Sequence, residues 1–215
     1  MPSKQSKMKK IPAAAKSAKQ NIALAIPNLL TYARIAIIPA VCIALYSADE
    51  FYSRIVAGAL FFLAAITDYF DGYLSRKMKI TSEIGRFLDP IADKLLVGAV
   101  LIAMAQTKFA TPLETFLAAV IISREIFVSG LREYLGGVSV KVPVSTLAKY
   151  KTATQLIAIG FLIFGRASPI YHNVAQDTVL YNIYASGVFL LAIAAFLTVI
   201  TGWQYMRVAL KHMDN

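Results

Sequence analysis

The sequence predicts an all-α integral membrane protein with six transmembrane helices. Of its 215 residues, 58% are hydrophobic, whereas ordinary soluble domains contain about 45 to 50% apolar residues. The apolar residues gather in six runs of roughly the length, about 20 residues, that a helix needs to cross a bilayer. The lone cysteine, Cys42, falls inside the first run and is interpreted as a small packing residue.

The six runs follow one another closely, so they are expected to form one membrane domain, residues 21–215. They cover residues 29–48, 53–74, 88–107, 113–131, 150–166 and 183–203. The fourth run contains Arg124 and Glu125, and the fifth is short for a span. We find no internal repeat of the kind that many secondary transporters contain.

Residues 1–20 are rich in lysine, alanine and serine, contain no acidic residue and lack the apolar core of a signal peptide. They are predicted to form a disordered basic tail. The next residues, 22–26, are amphipathic and are predicted to lie flat in the membrane interface. Pro27 is then expected to turn the chain upward into the first helix.

The basic residues predict the orientation of the helices, because cytoplasmic flanks collect lysine and arginine. They gather in the tail, after the second and fourth runs, and at the C-terminus. Both termini are therefore predicted to be cytoplasmic, in a multi-pass protein of the cell inner (cytoplasmic) membrane. Attraction to the anionic headgroups of membrane lipids explains the net charge of +10, so no nucleic-acid partner is predicted.

Four aspartates and two glycines stand at the facing ends of the second and third helices. Together with a serine and an arginine they form the pattern D-x2-D-G-x2-S-R-x8-G-x3-D-x3-D. Its residues are Asp68, Asp71, Gly72, Ser75, Arg76, Gly85, Asp89 and Asp93. An ionisable residue at the centre of a membrane helix costs roughly 2.5 to 3.5 kcal/mol on insertion scales, so four acids predict a functional site. Within each pair, the aspartates lie three or four residues apart and share a helix face.

If these two helices pack antiparallel, the four carboxylates converge on one point. Such a cluster is repulsive unless cations neutralise it, and ligation by oxygen alone suits Mg²⁺ or Mn²⁺, with two ions predicted. The two glycines suit positions where a ligand approaches the backbone closely.

Parts of the pattern have simpler interpretations. Asp89 before Pro90 could cap the third helix, and Asp68 and Asp71 could anchor a helix end in the interface.

The spacing resembles the signature of the CDP-alcohol phosphatidyltransferase family, which usually has alanine at the position of Ser75. The resemblance implies a homodimeric enzyme that transfers the phosphatidyl group of a CDP-linked lipid to an alcohol and releases CMP. It also implies a role for each matching residue. The metal ligands would be Asp68, Asp71, Asp89 and Asp93, with Asp93 also the general base, and the cytidine diphosphate pocket would include Gly72, Arg76 and Gly85.

The start of the first helix resembles one branch of this family, the phosphatidylglycerophosphate synthases. Residues 26–34 match its P-N-x-x-T-x-x-R pattern. Asn28, Thr31 and Arg34 fall on one helical face, and they are expected to reach toward the nucleotide. A simpler interpretation makes Asn28 an N-cap and Arg34 an interfacial side chain.

Three later segments resemble the same branch: 123–126, 131–133 and 149–152. Their basic side chains would hold the phosphate of the acceptor, since arginine binds phosphate in a forked geometry. These residues are Arg124, Arg132, Lys149 and Lys151. Glu125 and Glu133 are expected to orient the arginines.

The implied substrates are CDP-diacylglycerol and glycerol-3-phosphate, and the implied product is phosphatidylglycerophosphate. Lys149 and Lys151 alone could instead be ordinary anchors at the cytoplasmic border. A sister transferase that uses inositol phosphate or phosphatidylglycerol would differ in the pocket built by helices four and five. A divalent-cation transporter, a different class of protein, would need acids near the bilayer midplane, whereas these are expected toward the cytoplasmic border.

Overall fold

The structure, a computed structural model, describes residues 13–47, 51–78, 83–107, 110–138, 140, 146–165 and 178–213. Within these ranges the chain forms six α-helices and no β-strand, which confirms the all-α prediction. The helices are α1 (Ala13–Tyr46), α2 (Phe51–Met78), α3 (Glu83–Ala105), α4 (Pro112–Gly137), α5 (Thr146–Gly165) and α6 (Thr178–Met213). Each helix takes up most of one predicted apolar run.

Two of the described helices contain a stretch that is long and apolar enough to cross a membrane. These stretches are Leu29–Tyr46 in α1 and Thr178–His212 in α6. The finding agrees with the prediction that this is a membrane protein. The number of six spans and the cytoplasmic position of the termini remain predictions.

The chain between the second and third runs is mostly helical, where the sequence predicts a connection. α2 continues to Met78 and α3 begins at Glu83. Asp89 and Pro90 therefore lie inside α3, and the interpretation of Asp89 as an N-cap is wrong. Pro90 cannot donate an intrahelical hydrogen bond from its nitrogen, yet α3 continues on both sides of it.

The first helix is longer than expected. α1 begins at Ala13 and runs through Pro27 without a break, so residues 13–20 are helical and the expected turn at Pro27 is not found. Alanine, lysine, glutamine and leucine, which are frequent in this stretch, are among the strongest helix formers. The rest of the predicted tail, residues 1–12, lies outside the described residues.

The helices share one core. α1 packs against α2 and α3, α4 packs against α6, and α5 packs against α2 and most extensively against α6. The fully buried side chains at the centre include Val41, Leu45, Val100, Ile121, Ile159, Ile163 and Ala194. Cys42 packs against this core, as predicted. α3 and α4 make few contacts with each other, which leaves a groove between them.

α5 and α6 approach each other closely at Gly165, the last residue of α5. A Cβ atom added to Gly165 would lie 2.6 Å from the backbone nitrogen of Tyr184 and 2.7 Å from its Cα. Backbone atoms cannot move aside as a flexible side chain can, so the contact requires glycine. Small residues commonly allow this kind of approach between membrane helices.

Gly165→Ala is therefore expected to destabilise the protein by about 1 to 3 kcal/mol, measured as a lower thermal unfolding temperature in detergent. Gly160→Ala is the matched control in the same helix, because a Cβ at Gly160 meets no atom within 4 Å. That control should be neutral or stabilise by up to about 1 kcal/mol, since alanine favours the helix. Equal unfolding temperatures for the two variants would contradict the close contact at Gly165.

Candidate active site

Two polar side chains of α1 contact the acidic motif. Thr31 Oγ1 donates a hydrogen bond to Asp89 Oδ1 at 2.6 Å, and Arg34 Nη1 lies 2.8 Å from Asp68 Oδ1. Arg34 has 0% of its side chain exposed, so the interpretation of Arg34 as an interfacial side chain is wrong. α1 therefore contacts one carboxylate from each of the two helices that carry the motif.

The described aspartates of the motif lie near one another. Asp68 is close enough to Asp89 and to Asp93 for the carboxylate charges to repel each other, and 46% of the Asp68 side chain is exposed. Asp71 lies in α2, but its side chain is outside the described part of the structure. Among the described side chains, no three Asp, Glu, His or Cys residues form a group that could hold a metal ion. The site of four aspartates therefore stays a prediction.

The other residues predicted near the nucleotide lie within helices. They are Asn28 in α1, Gly72 and Arg76 in α2, and Gly85 near the start of α3. Asn28 lies far from the first residue of α1, so the N-cap interpretation is wrong. Gly85 is buried. Because the side chains of Asn28 and Arg76 are outside the described part, their contact with a nucleotide stays a prediction.

A second polar group joins α4 to α5. The carboxylate of Glu125 accepts hydrogen bonds from Arg124 Nη1 at 3.0 Å and from Lys151 Nζ. Lys151 is only 5% exposed, and a buried, ion-paired lysine does not serve as an ordinary membrane anchor. The charges of Glu125 and Lys151 both act on Asp93. The group therefore lies near Asp93, for which the family resemblance implies the role of general base.

The remaining basic residues of the predicted acceptor pocket are spread over α4 and α5. Lys149 is exposed. Arg124 Nη2 donates a hydrogen bond to Thr201 Oγ1 at 2.6 Å, and the Arg132 guanidinium lies 5.8 Å from the centroid of the Tyr205 ring. Thr201 and Tyr205 belong to α6 and were not predicted as site residues. For Thr201, the available signal was a polar side chain in an otherwise apolar run, whereas Tyr205 lies beyond the end of that run.

A groove of about 860 Å³ separates α3 from α4. Its apolar walls include Ile91, Leu95, Ile102, Ile122 and Ile126. At its polar end, Lys94 Nζ donates a hydrogen bond to Ser129 Oγ at 2.5 Å. Lys94 directly follows Asp93, so this end of the groove lies beside the acidic motif. An apolar surface of this kind suits contact with lipid chains or with another membrane helix.

A model of the CDP-alcohol phosphatidyltransferase family matches residues 24–206 of this chain. A protein from Rickettsia bellii is 43% identical over 189 residues, which cover 87% of this chain and 96% of the relative. Relatives from Cereibacter sphaeroides and Bacillus subtilis are each 36% identical to this chain. The first alignment covers 88% of this chain and 97% of the relative. The second covers 84% of this chain and 92% of the relative. All three relatives are named CDP-diacylglycerol–glycerol-3-phosphate 3-phosphatidyltransferase. The chain therefore belongs to the CDP-alcohol phosphatidyltransferase family.

Proposed function

We propose that this enzyme transfers the phosphatidyl group of CDP-diacylglycerol to glycerol-3-phosphate, which yields phosphatidylglycerophosphate and CMP. Asp93 carries the proposal, because the charges of Asp68, Glu125 and Lys151 all act on its carboxylate. A donor diphosphate and a phosphate-bearing acceptor could therefore meet at one carboxylate. The names of the relatives point to the same two substrates.

In the proposed reaction, a hydroxyl oxygen of glycerol-3-phosphate attacks the phosphorus that carries the diacylglycerol. A bond forms between this oxygen and the phosphorus, the bond from the phosphorus to the bridging oxygen of the diphosphate breaks, and CMP leaves. The proton of the hydroxyl passes to the Asp93 carboxylate, which acts as general base. Thr31 and Arg34 keep Asp89 and Asp68 in place through the contacts described above.

The other polar residues divide between the two substrates. The proposed ligands of the acceptor phosphate are Arg124, Arg132, Lys149 and Lys151. Hydrogen bonds between ionised groups are roughly twice as strong as those between neutral groups, so this set favours an acceptor that carries a phosphate. The proposed nucleotide pocket consists of Asn28, Thr31, Gly72, Arg76 and Gly85.

The aspartates of the motif are proposed to hold two divalent ions, Mg²⁺ or Mn²⁺. These residues are Asp68, Asp71, Asp89 and Asp93. The donor set fits such ions, because it consists of carboxylate oxygens and because nearly half of the Asp68 side chain is exposed. When bound, the ions would supply positive charge that neutralises the diphosphate and the departing CMP.

Incubation of the purified protein with CDP-diacylglycerol and a panel of acceptors tests the function. Glycerol-3-phosphate is expected to yield phosphatidylglycerophosphate, with a kcat/KM for CMP release at least about a hundredfold above that of glycerol, which lacks the phosphate. A higher kcat/KM with inositol phosphate or phosphatidylglycerol would identify that compound as the acceptor. The proposed transfer of the phosphatidyl group would then still stand. Failure to release CMP with every acceptor would contradict the proposal.

We also propose that the protein spans the inner membrane six times, with the active site and both termini on the cytoplasmic side, and that it forms a homodimer. The distribution of lysine and arginine supports the orientation, and the two apolar stretches in α1 and α6 support the membrane location. The groove between α3 and α4 provides an apolar surface for a second copy.

Single cysteines introduced as Lys79→Cys and Ser168→Cys, with Cys42→Ala, test this orientation. Because the sequence predicts the two positions on opposite sides of the membrane domain, they should react from opposite faces with a membrane-impermeant thiol reagent. Ser168→Cys should react in intact spheroplasts, and Lys79→Cys only after the membrane is opened. Reaction of both from one face would contradict the arrangement of six spans.

A further inference from the structure

One turn of α6 contacts both arginines of α4 that belong to the proposed acceptor pocket. Thr201 Oγ1 accepts the hydrogen bond from Arg124 Nη2, and the ring of Tyr205, one turn later, lies under Arg132. Thr201 and Tyr205 are both buried, with 0% and 5% exposed. Neither residue belongs to the acidic motif or to the proposed substrate ligands.

The hydroxyl of Thr201 is oriented for this contact. Thr201 Oγ1 donates to the carbonyl oxygen of Leu197 at 2.8 Å. A hydroxyl has one proton and two lone pairs, so a bond to that carbonyl leaves the oxygen free to accept from Arg124. The backbone of α6 therefore orients the acceptor that Arg124 uses.

Gly202 completes this surface. A Cβ atom added to Gly202 would lie 3.2 Å from Cγ of Arg124 and 3.4 Å from its Nε. The absence of a side chain at Gly202 thus lets the stem of Arg124 lie against α6. From there, Arg124 Nη1 reaches Glu125, whose carboxylate also holds Lys151.

We propose that Thr201, Gly202 and Tyr205 are positioning residues that set the affinity of the enzyme for its phosphate-bearing acceptor. The proposal rests on the proposed function. Thr201 and Gly202 fix the position of Arg124. Arg124 shares the carboxylate of Glu125 with Lys151, and Tyr205 fixes the position of Arg132. These contacts involve only residues of the proposed acceptor pocket and their neighbours, so their loss should change acceptor binding and leave the binding of CDP-diacylglycerol largely unchanged.

The test compares steady-state kinetics of purified Thr201→Val with those of the wild type in mixed micelles. Valine keeps the shape of threonine but removes the hydrogen-bond acceptor, so the KM for glycerol-3-phosphate should rise about tenfold. The KM for CDP-diacylglycerol should stay within about twofold, and Thr201→Ser should restore the acceptor KM.

Thr198→Val is the matched control. Thr198 is fully buried one turn earlier in α6, and its hydroxyl has no hydrogen-bond partner among the described residues. Loss of this hydroxyl should leave both KM values within about twofold of the wild type. At the other arginine, Tyr205→Leu should raise the acceptor KM, whereas Tyr205→Phe, which keeps the ring, should not.

Two results would overturn the proposal. One is an acceptor KM of Thr201→Val that matches that of Thr198→Val. The other is an equal change of both KM values that Thr201→Ser does not reverse, since general damage to the fold would have that effect. Failure of the proposed function is separate, because it would appear as an absence of CMP release from the wild-type enzyme with glycerol-3-phosphate.

Discussion

Asp93→Asn is expected to abolish CMP release while the protein still inserts into the membrane and unfolds at a near-normal temperature. An amide cannot take the proton of the attacking hydroxyl, and loss of a general base typically costs a factor of about 10² to 10⁴ in rate. The same substitution removes one carboxylate from the proposed metal site, so the loss should lie at the upper end of this range. Asp89→Asn should have a comparable effect through the metal site alone.

Glu114→Gln is the matched control for these amide substitutions. Glu114 lies in the first turn of α4, where its carboxylate accepts from the backbone of Thr111, and glutamine keeps an acceptor oxygen there. Glu114 also lines a small cavity together with Met104 of α3. Met104 lies roughly 16 Å from Asp93 along that helix, so Glu114 is remote from the acidic motif. Full activity of this variant beside an inactive Asp93→Asn would assign the loss to the site. CMP release by folded Asp93→Asn, or undiminished activity in a chelator, would refute the assignment.

The helix order and the acidic motif could be predicted because both depend on local patterns. The length of an apolar run indicates a helix, and the spacing of four aspartates is visible without a fold. The ends of α2 and α3 could not be predicted, because the residues between Asp71 and Asp89 are largely polar or mixed. Composition alone does not distinguish a helix that continues out of an apolar run from a loop. For this reason Asp89 resembled an N-cap although it lies inside α3.

The contacts that organise the site could not be predicted, because they join residues far apart in the chain. Thr31 and Asp89 are separated by 58 positions, and Arg124 and Thr201 by 77. The sequence shows that Thr31 and Arg34 share a helix face, but the partner of that face depends on how α1 packs. The structure reveals that this face contacts aspartates.

Glu125→Gln is expected to lower kcat/KM for glycerol-3-phosphate at least about a hundredfold. In the sequence this residue is only an acid expected to orient arginines, but in the structure its carboxylate accepts from both Lys151 and Arg124. Lys151 is buried, and removal of one partner from a buried ion pair typically costs about 3 to 5 kcal/mol, which corresponds to roughly two to three and a half decades. Part of this cost should appear as lower thermal stability and part as weaker acceptor binding.

The double variant Glu125→Gln/Lys151→Met separates these two effects. It removes both charges, so no uncompensated lysine remains, and its unfolding temperature should recover toward that of the wild type relative to Glu125→Gln. Its activity with glycerol-3-phosphate should stay low, because Lys151 is a proposed ligand of the acceptor phosphate. This non-additivity is expected of residues in direct contact. If Glu125→Gln kept both its stability and its kcat/KM within about threefold of the wild type, the Glu125–Lys151 pair could not be the group that links the acceptor pocket to Asp93.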